Sequence, residues 1–171
     1  PQTHTLDVAL NGEEWQLQCS FADLRPAGLL RWRYGLTRAG DRLAAWLQHL
    51  ALCATPLDFV ARRTRWLSSD GEFSLEPCDD AASRLHELLN MYRQGLSEPL
   101  HFYPRTAWAF QCKGPSAARA AWQSTQTFSE GDDTAYRLAL RGIDQPLDAR
   151  FETLARAVYG PLQALLRDER E

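Results

Sequence analysis

Leu29-Leu-Arg-Trp-Arg-Tyr34 predicts a β-strand, and the later stretch Asp41-Arg-Leu-Ala-Ala-Trp-Leu-Gln-His-Leu-Ala-Leu-Cys-Ala54 predicts an amphipathic helix. Side chains two residues apart on a strand point to the same face, so Arg31 and Arg33 share one face. The opposite face carries Leu30, Trp32 and Tyr34. The helix is expected to begin at Asp41 as N-cap and to bury an apolar stripe, which consists of Leu43, Trp46, Leu47, Leu50 and Ala54.

Further strands are predicted on both sides of this pair. Residues 5–10 and 14–21 alternate apolar and polar side chains, and Asn11-Gly12 between them is typical of a two-residue hairpin turn. Residues 59–67 and 72–75 predict a second hairpin around Ser68-Ser-Asp-Gly71. The first half of the chain therefore predicts an α/β (α+β) domain with a central mixed sheet.

The second half of the chain is predicted to be helical. One helix follows Pro77 and ends at Gly95, and short helices follow Pro104, Pro115 and Asp133. Residues 147–159 predict the last helix, which Gly160-Pro161 ends or kinks before residues 162–166. Because no long linker divides the chain, we expect one domain over residues 1–171.

Composition restricts the class of protein. The chain has 171 residues, 44% of them hydrophobic and 24% charged, with a net charge of -3. These values suit a globular domain and argue against a disordered chain or a strongly basic nucleic-acid binder. No segment approaches 18 consecutive apolar residues, so no membrane partner is expected. Because the chain starts at Pro1, we expect a fragment of a longer protein.

Cysteine and histidine spacing predicts neither a metal nor another cofactor. The four cysteines are widely spaced and include no CxxC pair, and the four histidines lack the spacing of metal ligands. A reduced, cytoplasmic protein is the expectation that follows.

A strand followed by a helix in this order resembles the core of metal-dependent nucleases of the PD-(D/E)XK type. Those nucleases carry Asp/Glu-x-Lys on this strand and a further Asp on the preceding one. Here Arg31 and Arg33 stand at or near the acid and lysine positions, and Asp23 is the nearest acid to the other position. Two guanidinium groups cannot bind Mg²⁺, which needs oxygen ligands. The resemblance therefore implies a nuclease-like fold whose catalytic residues are lost.

A more specific resemblance begins at Tyr92-Arg-Gln-Gly-Leu-Ser-Glu-Pro-Leu100 and continues with Phe102-Tyr-Pro-Arg-Thr-Ala-Trp-Ala109. These runs resemble the C-terminal region of the RecC family, the gamma subunits of bacterial exodeoxyribonuclease V (RecBCD). The helix over residues 43–54 is similar to the family's W-L-x-H-L-A-L-C pattern. Trp122 and the acidic run 130–133 before Tyr136 fit the downstream pattern.

The resemblance implies a non-catalytic domain. In RecC-like chains this region is nuclease-like without an active site, and it belongs to a helicase-nuclease that processes DNA ends for recombinational repair. The implied partners are RecB-like and RecD-like subunits, and DNA near the fork in the assembled complex. Chi recognition belongs to regions N-terminal to this one and is not expected here.

Two arginine groups leave alternatives open. Arg31 and Arg33 are expected either to pair with neighbouring acids or to contact phosphate. Arg62, Arg63 and Arg65 have no acid beside them in the sequence, and they predict either a DNA or partner surface or a solvated strand edge.

Alternatives also remain for the tryptophans and for the function. Trp32 and Trp46 are predicted to be core residues, whereas Trp108 and Trp122 have less apolar support and admit a partner-facing role. One alternative function is a metal-dependent nuclease with relocated carboxylates, which would use Asp23 with Glu13 or Glu14. Another is a free-standing DNA-binding module.

Overall fold

The strands and helices fall into two units in the computed structural model, which describes residues 2–10, 13–124 and 129–168. One unit comprises residues 1–92 with 164–171, and the other comprises residues 93–163. Both sheets belong to the first unit. One domain over residues 1–171 stays a prediction.

The first two strands form an antiparallel hairpin, with β1 at Gln2–Leu10 and β2 at Glu13–Phe21. Leu6 lies opposite Leu17, and Val8 lies opposite Trp15. Along β2 the odd-numbered positions from 15 to 21 are half-buried or buried, and the even-numbered ones are exposed. This confirms the predicted pairing and alternation. The predicted turn residues Asn11 and Gly12 lie outside the described residues.

A five-stranded sheet forms the centre of the first unit, in the order β3-β4-β5-β6-β7. Its strands are β3 Leu24–Arg25, β4 Gly28–Trp32, β5 Thr64–Ser68, β6 Gly71–Leu75 and β7 Leu166–Asp168. The β4–β5 pair is parallel, and the other three pairs are antiparallel. The predicted mixed sheet with flanking helices is thus confirmed.

The backbones of β4 and β5 approach closely at Gly28. Its φ is +118°, and a Cβ at this position would lie 2.2 Å from the carbonyl oxygen of Arg63. Only glycine accommodates both this φ and this contact. The N–H of Leu29 then donates to the same carbonyl at 2.8 Å, which starts the parallel ladder.

Helix α1, at Ala39–Ala54, packs against one face of this sheet. Ala51 and Leu52 share a buried cluster with Leu29 and Phe21. The predicted N-cap is wrong by three residues. Arg38 is the N-cap and Asp41 occupies the third helical position, where its carboxylate accepts the N–H of Arg38 at 2.8 Å. An acid at this position satisfies a backbone donor that the helix leaves unpaired.

Of the two tryptophans predicted to be core residues in this unit, one is buried and the other is exposed. Trp46 is 1% exposed, which confirms its place in the core, but Trp32 is 67% exposed. Helix α1 buries the face of β4 that carries Leu29. Trp32 lies on the opposite face of β4, which α1 does not cover. The predicted apolar stripe of α1 also includes Leu47, which is 41% exposed.

Two strand boundaries differ from the prediction. The strand expected over residues 59–67 begins only at Thr64, and Phe59 lies in a loop with φ +62° and 97% of its side chain exposed. At the C-terminus, helix α6 continues through Pro161 to Leu165, and β7 then replaces the expected helical end. Strand β7 forms against the edge of β6, where Leu75 lies opposite Leu166.

The remaining elements are helical. They are α2 Ala81–Gly95, α3 Pro104–Lys113, α4 Pro115–Trp122, a 3₁₀ turn at Glu130–Asp132, α5 Thr134–Ala139 and α6 Ala149–Leu165. Among the described residues, none of these helices has the length and apolar character needed to cross a membrane.

Aromatic side chains form the core of the second unit. Tyr103 is fully buried, its ring centroid lies 4.3 Å from that of Trp122, and it stacks on Phe151 at 5.8 Å. Both oxygens of Glu130 accept backbone N–H groups of the first turn of α3, from Arg105 at 3.1 Å and Thr106 at 2.7 Å. Trp122 is 7% exposed and is therefore a core residue rather than a partner-facing one.

Candidate functional site

Arg33 is held by an acid at the end of β4. Its Nη1 lies 2.8 Å and 2.7 Å from the two carboxylate oxygens of Asp41, and both side chains are largely shielded from water. The same carboxylate caps α1 through the N–H of Arg38. Of the two alternatives for Arg33, the structure therefore shows pairing with an acid. The pair joins the end of the strand to the start of the helix.

Arg31 lies on the same sheet face as Arg33 and is half-buried. Its register partner on β5 is Trp66, which is 6% exposed. No ion pair of Arg31 occurs within the described part of the chain, so phosphate contact stays a prediction for this residue.

Asp23 lies in the bend between β2 and β3, where its backbone carbonyl accepts the N–H of Leu30 at 3.1 Å. In the described residues no ion pair joins its carboxylate to Arg25, Arg31 or Arg33. Asp23 is therefore placed next to the start of β4 by its backbone, and the structure assigns no partner to its carboxylate.

The carboxylates named for a relocated metal site, Asp23 with Glu13 or Glu14, do not lie together. Glu14 precedes Phe21 by seven residues of extended strand, a separation of about 23 Å along β2, and Asp23 lies beyond Phe21. Carboxylates at opposite ends of one strand cannot share a metal ion. Within residues 2–10, 13–124 and 129–168, no group of three or more His, Cys, Asp or Glu side chains is arranged to hold a metal.

The loop after β4 is anchored by a polar network that the sequence did not predict. Asp70 accepts the hydroxyl of Ser68 at 2.7 Å and the N–H of Thr37 at 2.9 Å, and these hydrogen bonds lower the pKa of Asp70 to about 2. The Nε1–H of Trp66 donates to the hydroxyl of Thr37 at 3.2 Å. The network connects the β5–β6 turn to the segment that carries Arg33.

The three arginines near β5 are each paired with an acid. Their partners come from more distant parts of the chain, with Arg62 on Asp79 at 3.1 Å, Arg63 on Glu76 at 2.7 Å and Arg65 on Glu72 at 2.7 Å. The sequence shows no acids beside these arginines, but in the folded chain each arginine has an acid next to it. The surface therefore carries alternating positive and negative charges. A DNA or partner surface at Arg62, Arg63 and Arg65 stays a prediction.

The sheet face opposite α1, here called the outer face, is defined by strand register. It carries Arg25 of β3, Leu30 and Trp32 of β4, Arg65 and Leu67 of β5, Glu72 and Ser74 of β6, and Arg167 of β7. The other face carries Leu29, Thr64, Trp66, Phe73 and Leu75, all of which are buried. On the outer face Leu30 and Leu67 are half-buried and Trp32 is 67% exposed.

A buried polar cluster lies between α1 and the sheet. The ring of His49 is fully buried, with Nδ1 3.0 Å from the hydroxyl of Thr64 and Nε2 2.9 Å from the carbonyl oxygen of Glu76. Since burial disfavours the charged ring, the pKa of His49 falls to about 4. Both nitrogens of a neutral ring are satisfied here, so the cluster fixes the helix on the sheet. The sequence signal was a histidine between Trp46 and Leu50.

Two kinds of comparison identify relatives. A family model described as the RecC C-terminal domain matches residues 1–114. A RecBCD enzyme subunit RecC of Escherichia coli (strain K12) is 34% identical over 115 residues, which cover 65% of this chain and 10% of that protein. The RecBCD enzyme subunit RecC of Buchnera aphidicola subsp. Acyrthosiphon pisum (strain APS) is 31% identical over 93 residues. These residues cover 54% of this chain and 9% of that protein.

The chain spans about a tenth of the length of the curated relatives it matches. The family model ends at residue 114, so it includes every strand except β7, and also α1, α2 and α3. The resemblance at Trp122, at residues 130–133 and at Tyr136 lies beyond it and stays a prediction.

Proposed function

This chain belongs to the RecC C-terminal domain family, and on that premise we propose that it is a non-catalytic domain of a RecC-like subunit. In this proposal the subunit belongs to a cytoplasmic helicase-nuclease of the RecBCD kind, which processes DNA ends for recombinational repair. The domain docks RecB-like and RecD-like subunits and lies near DNA at the fork. Its sheet is that of a PD-(D/E)XK nuclease whose catalytic residues are lost.

The observation that carries the proposal is the pair of arginines at the end of β4, with Arg31 inside the strand and Arg33 directly after it. A nuclease of this type activates water with a metal ion held by carboxylates and adds a lysine at the attacked phosphate. In this proposal Arg31 and Arg33 take those positions, and the carboxylate of Asp41 is bound by Arg33. Because Asp41 neutralises Arg33, Arg31 is the guanidinium group whose positive charge repels a divalent cation on this face.

Charge and burial support docking more than catalysis. The chain has a net charge of -3, and the three arginines near β5 are paired with acids, so its long-range field does not attract DNA strongly. Its relatives are named as subunits of an enzyme, and a domain of a subunit is expected to present surfaces to other chains.

A cleavage assay tests the non-catalytic part of the proposal. We expect the 171-residue chain to leave linear single-stranded and double-stranded DNA intact in Mg²⁺ or Mn²⁺, because the described residues include no group of three or more side chains arranged to hold the ion. The matched control is the Asp23→Ala variant. Cleavage that persists in this variant comes from a contaminating nuclease, whereas cleavage that disappears in it contradicts the proposal.

A further inference from the structure

We propose that the outer face of the five-stranded sheet docks an acidic amphipathic helix of a partner subunit, with Trp32 inserted between its apolar side chains. This inference rests on the proposed function, since it names the surface by which the domain docks a RecB-like or RecD-like subunit. It concerns the face opposite α1, away from the face of Arg31 and Arg33.

The first observation is that, in the described part of the chain, the outer face leaves a large apolar side chain exposed. The sheet is mixed, and a sheet of mostly antiparallel pairs can pack one face on a core and leave the other open to water or to a partner. Helix α1 covers the face of Leu29. On the other face, the described residues leave 67% of Trp32 exposed beside half-buried Leu30 and Leu67.

The second observation is the apolar character of the centre of this face. Leu67 lies opposite Trp32 in register, and Leu30 is on the same face two residues before it. Aliphatic side chains beside an exposed tryptophan make the kind of pocket in which interface hot spots form. Bases stack on aromatic rings but gain little from two leucines, so the chemistry favours a protein over single-stranded DNA.

The third observation is the charge at the rim. The described side chains of the outer face include the guanidinium groups of Arg25, Arg65 and Arg167 and one carboxylate, Glu72, which gives 3 − 1 = +2. Glu72 is already bound by Arg65 at 2.7 Å. The chain as a whole carries -3. A positive rim on an otherwise acidic chain is complementary to an occupant whose apolar stripe is flanked by Asp or Glu.

Binding measurements with the purified RecB-like and RecD-like subunits of the same organism test the inference. The full chain is labelled at the exposed Cys112, and each subunit is titrated against it by fluorescence anisotropy. We expect Trp32→Ala to weaken the binding of one subunit by about 30-fold, the loss typical of a hot-spot tryptophan. Arg25→Glu should weaken it by about fivefold at low salt and less at high salt.

The matched control is Leu138→Ala, which removes another exposed apolar side chain, 74% exposed on α5. It should change binding by less than about twofold, because a solitary exposed leucine is ordinary on protein surfaces. Since Trp32 and Arg25 are exposed, both variants should keep the thermal midpoint of the wild-type chain, which excludes unfolding as the cause of lost binding.

A photo-cross-linking phenylalanine derivative at position 32 tests the chemistry of the occupant. The cross-linked peptide of the partner should come from a helix with an apolar stripe and flanking acids. A basic or extended peptide at this position overturns the stated chemistry.

The remaining outcomes separate this inference from the proposed function. If the wild-type chain binds a subunit and Trp32→Ala binds it equally well, the inference fails and docking stands. If neither subunit binds the wild-type chain, both fail. If Trp32→Ala instead weakens binding of a single-stranded oligothymidine, or converts a dimer of this chain to a monomer, while subunit binding is unchanged, DNA or a second copy covers the face and the inference is overturned.

Discussion

His49 illustrates at the residue scale how a polar side chain is placed inside an apolar helix face. A buried imidazole is stable only when both of its nitrogens have partners, and here Thr64 and the carbonyl of Glu76 supply them. Cys53, one helical turn further on, lies 3.5 Å from Nε2 and is also buried. The neutral ring is therefore a structural element of the contact between α1 and the sheet, and its protonation should break that contact.

We expect acid to destabilise the chain through His49. The pKa of this ring is about 4 in the folded chain against an ordinary 6.5, so below pH 6.5 the unfolded chain binds a proton that the folded chain does not. The stabilisation is complete above pH 6.5 and is lost as the pH falls to 4, by about 3 kcal/mol at most. The free energy of unfolding can be measured with urea at about pH 7 and about pH 4.5. The difference between the two values should be smaller for His49→Gln than for the wild-type chain.

A second measurement tests the same prediction without a variant, in case His49→Gln does not fold. In an NMR titration of the wild-type chain, the His49 ring should stay neutral until the pH approaches 4. A ring that titrates near 6.5 in the folded chain would show that it is hydrated rather than buried.

At the element scale, helix α1 buries one face of the five-stranded sheet and is bound to two of its strands. Its stripe differs from the simple helical pattern, because adjacent residues Trp46 and Leu47 are 1% and 41% exposed. The ion pair of Arg33 with Asp41 connects the N-terminal turn of α1 to β4, and the hydrogen bond of His49 with Thr64 connects its middle to β5. The helix is therefore held along most of its length.

The matched pair Trp46→Ala and Leu47→Ala tests which face of α1 is buried. Trp46→Ala should lower the free energy of unfolding by about 3–5 kcal/mol, because it leaves a large cavity beneath the helix. Leu47→Ala should lower it by less than about 1 kcal/mol, since that side chain is largely hydrated. Chemical denaturation monitored by circular dichroism gives both values. Equal losses at the two positions would mean that α1 packs on a different face.

At the scale of the whole molecule, charge limits what the chain binds. The net charge is -3, and three of the most prominent arginines are neutralised by acids between seven and seventeen residues away. Exposed pairs of this kind are weak, so they can open to admit a phosphate. Any DNA binding should therefore be feeble and electrostatic in origin.

The salt dependence of DNA binding tests this directly. Three phosphate contacts through Arg62, Arg63 and Arg65 predict a log–log slope of about −2.7 at most, and replacing all three with Ala should flatten it. The control exchanges their partners: Glu72→Gln, Glu76→Gln and Asp79→Asn together should strengthen binding by freeing the arginines. Tight binding at physiological salt that discriminates between sequences would instead require base contacts, and the domain would then be a DNA-reading module.

Local sequence determined the elements whose signals are local. The alternation in β2 predicted its pairing with β1, and Pro and Gly marked the ends of α1 and α2. The pattern of residues 29–34 correctly predicted a strand, but β4 ends at Trp32, so Arg33 and Tyr34 lie beyond it. The RecC-like runs within residues 43–109 were equally local, and the family model that matches residues 1–114 supports them.

Only the tertiary structure decided which face of β4 is buried. A period of two separates two faces but does not say which one a helix will cover, and the more apolar face, with Trp32, is the one left exposed. The acids that neutralise the arginines likewise arrive from distant segments. Strand β7 exists because the edge of β6 offers unpaired backbone groups to residues whose own pattern predicts a helix. Each of these outcomes depends on contacts between segments far apart in the chain, and no local pattern encodes them.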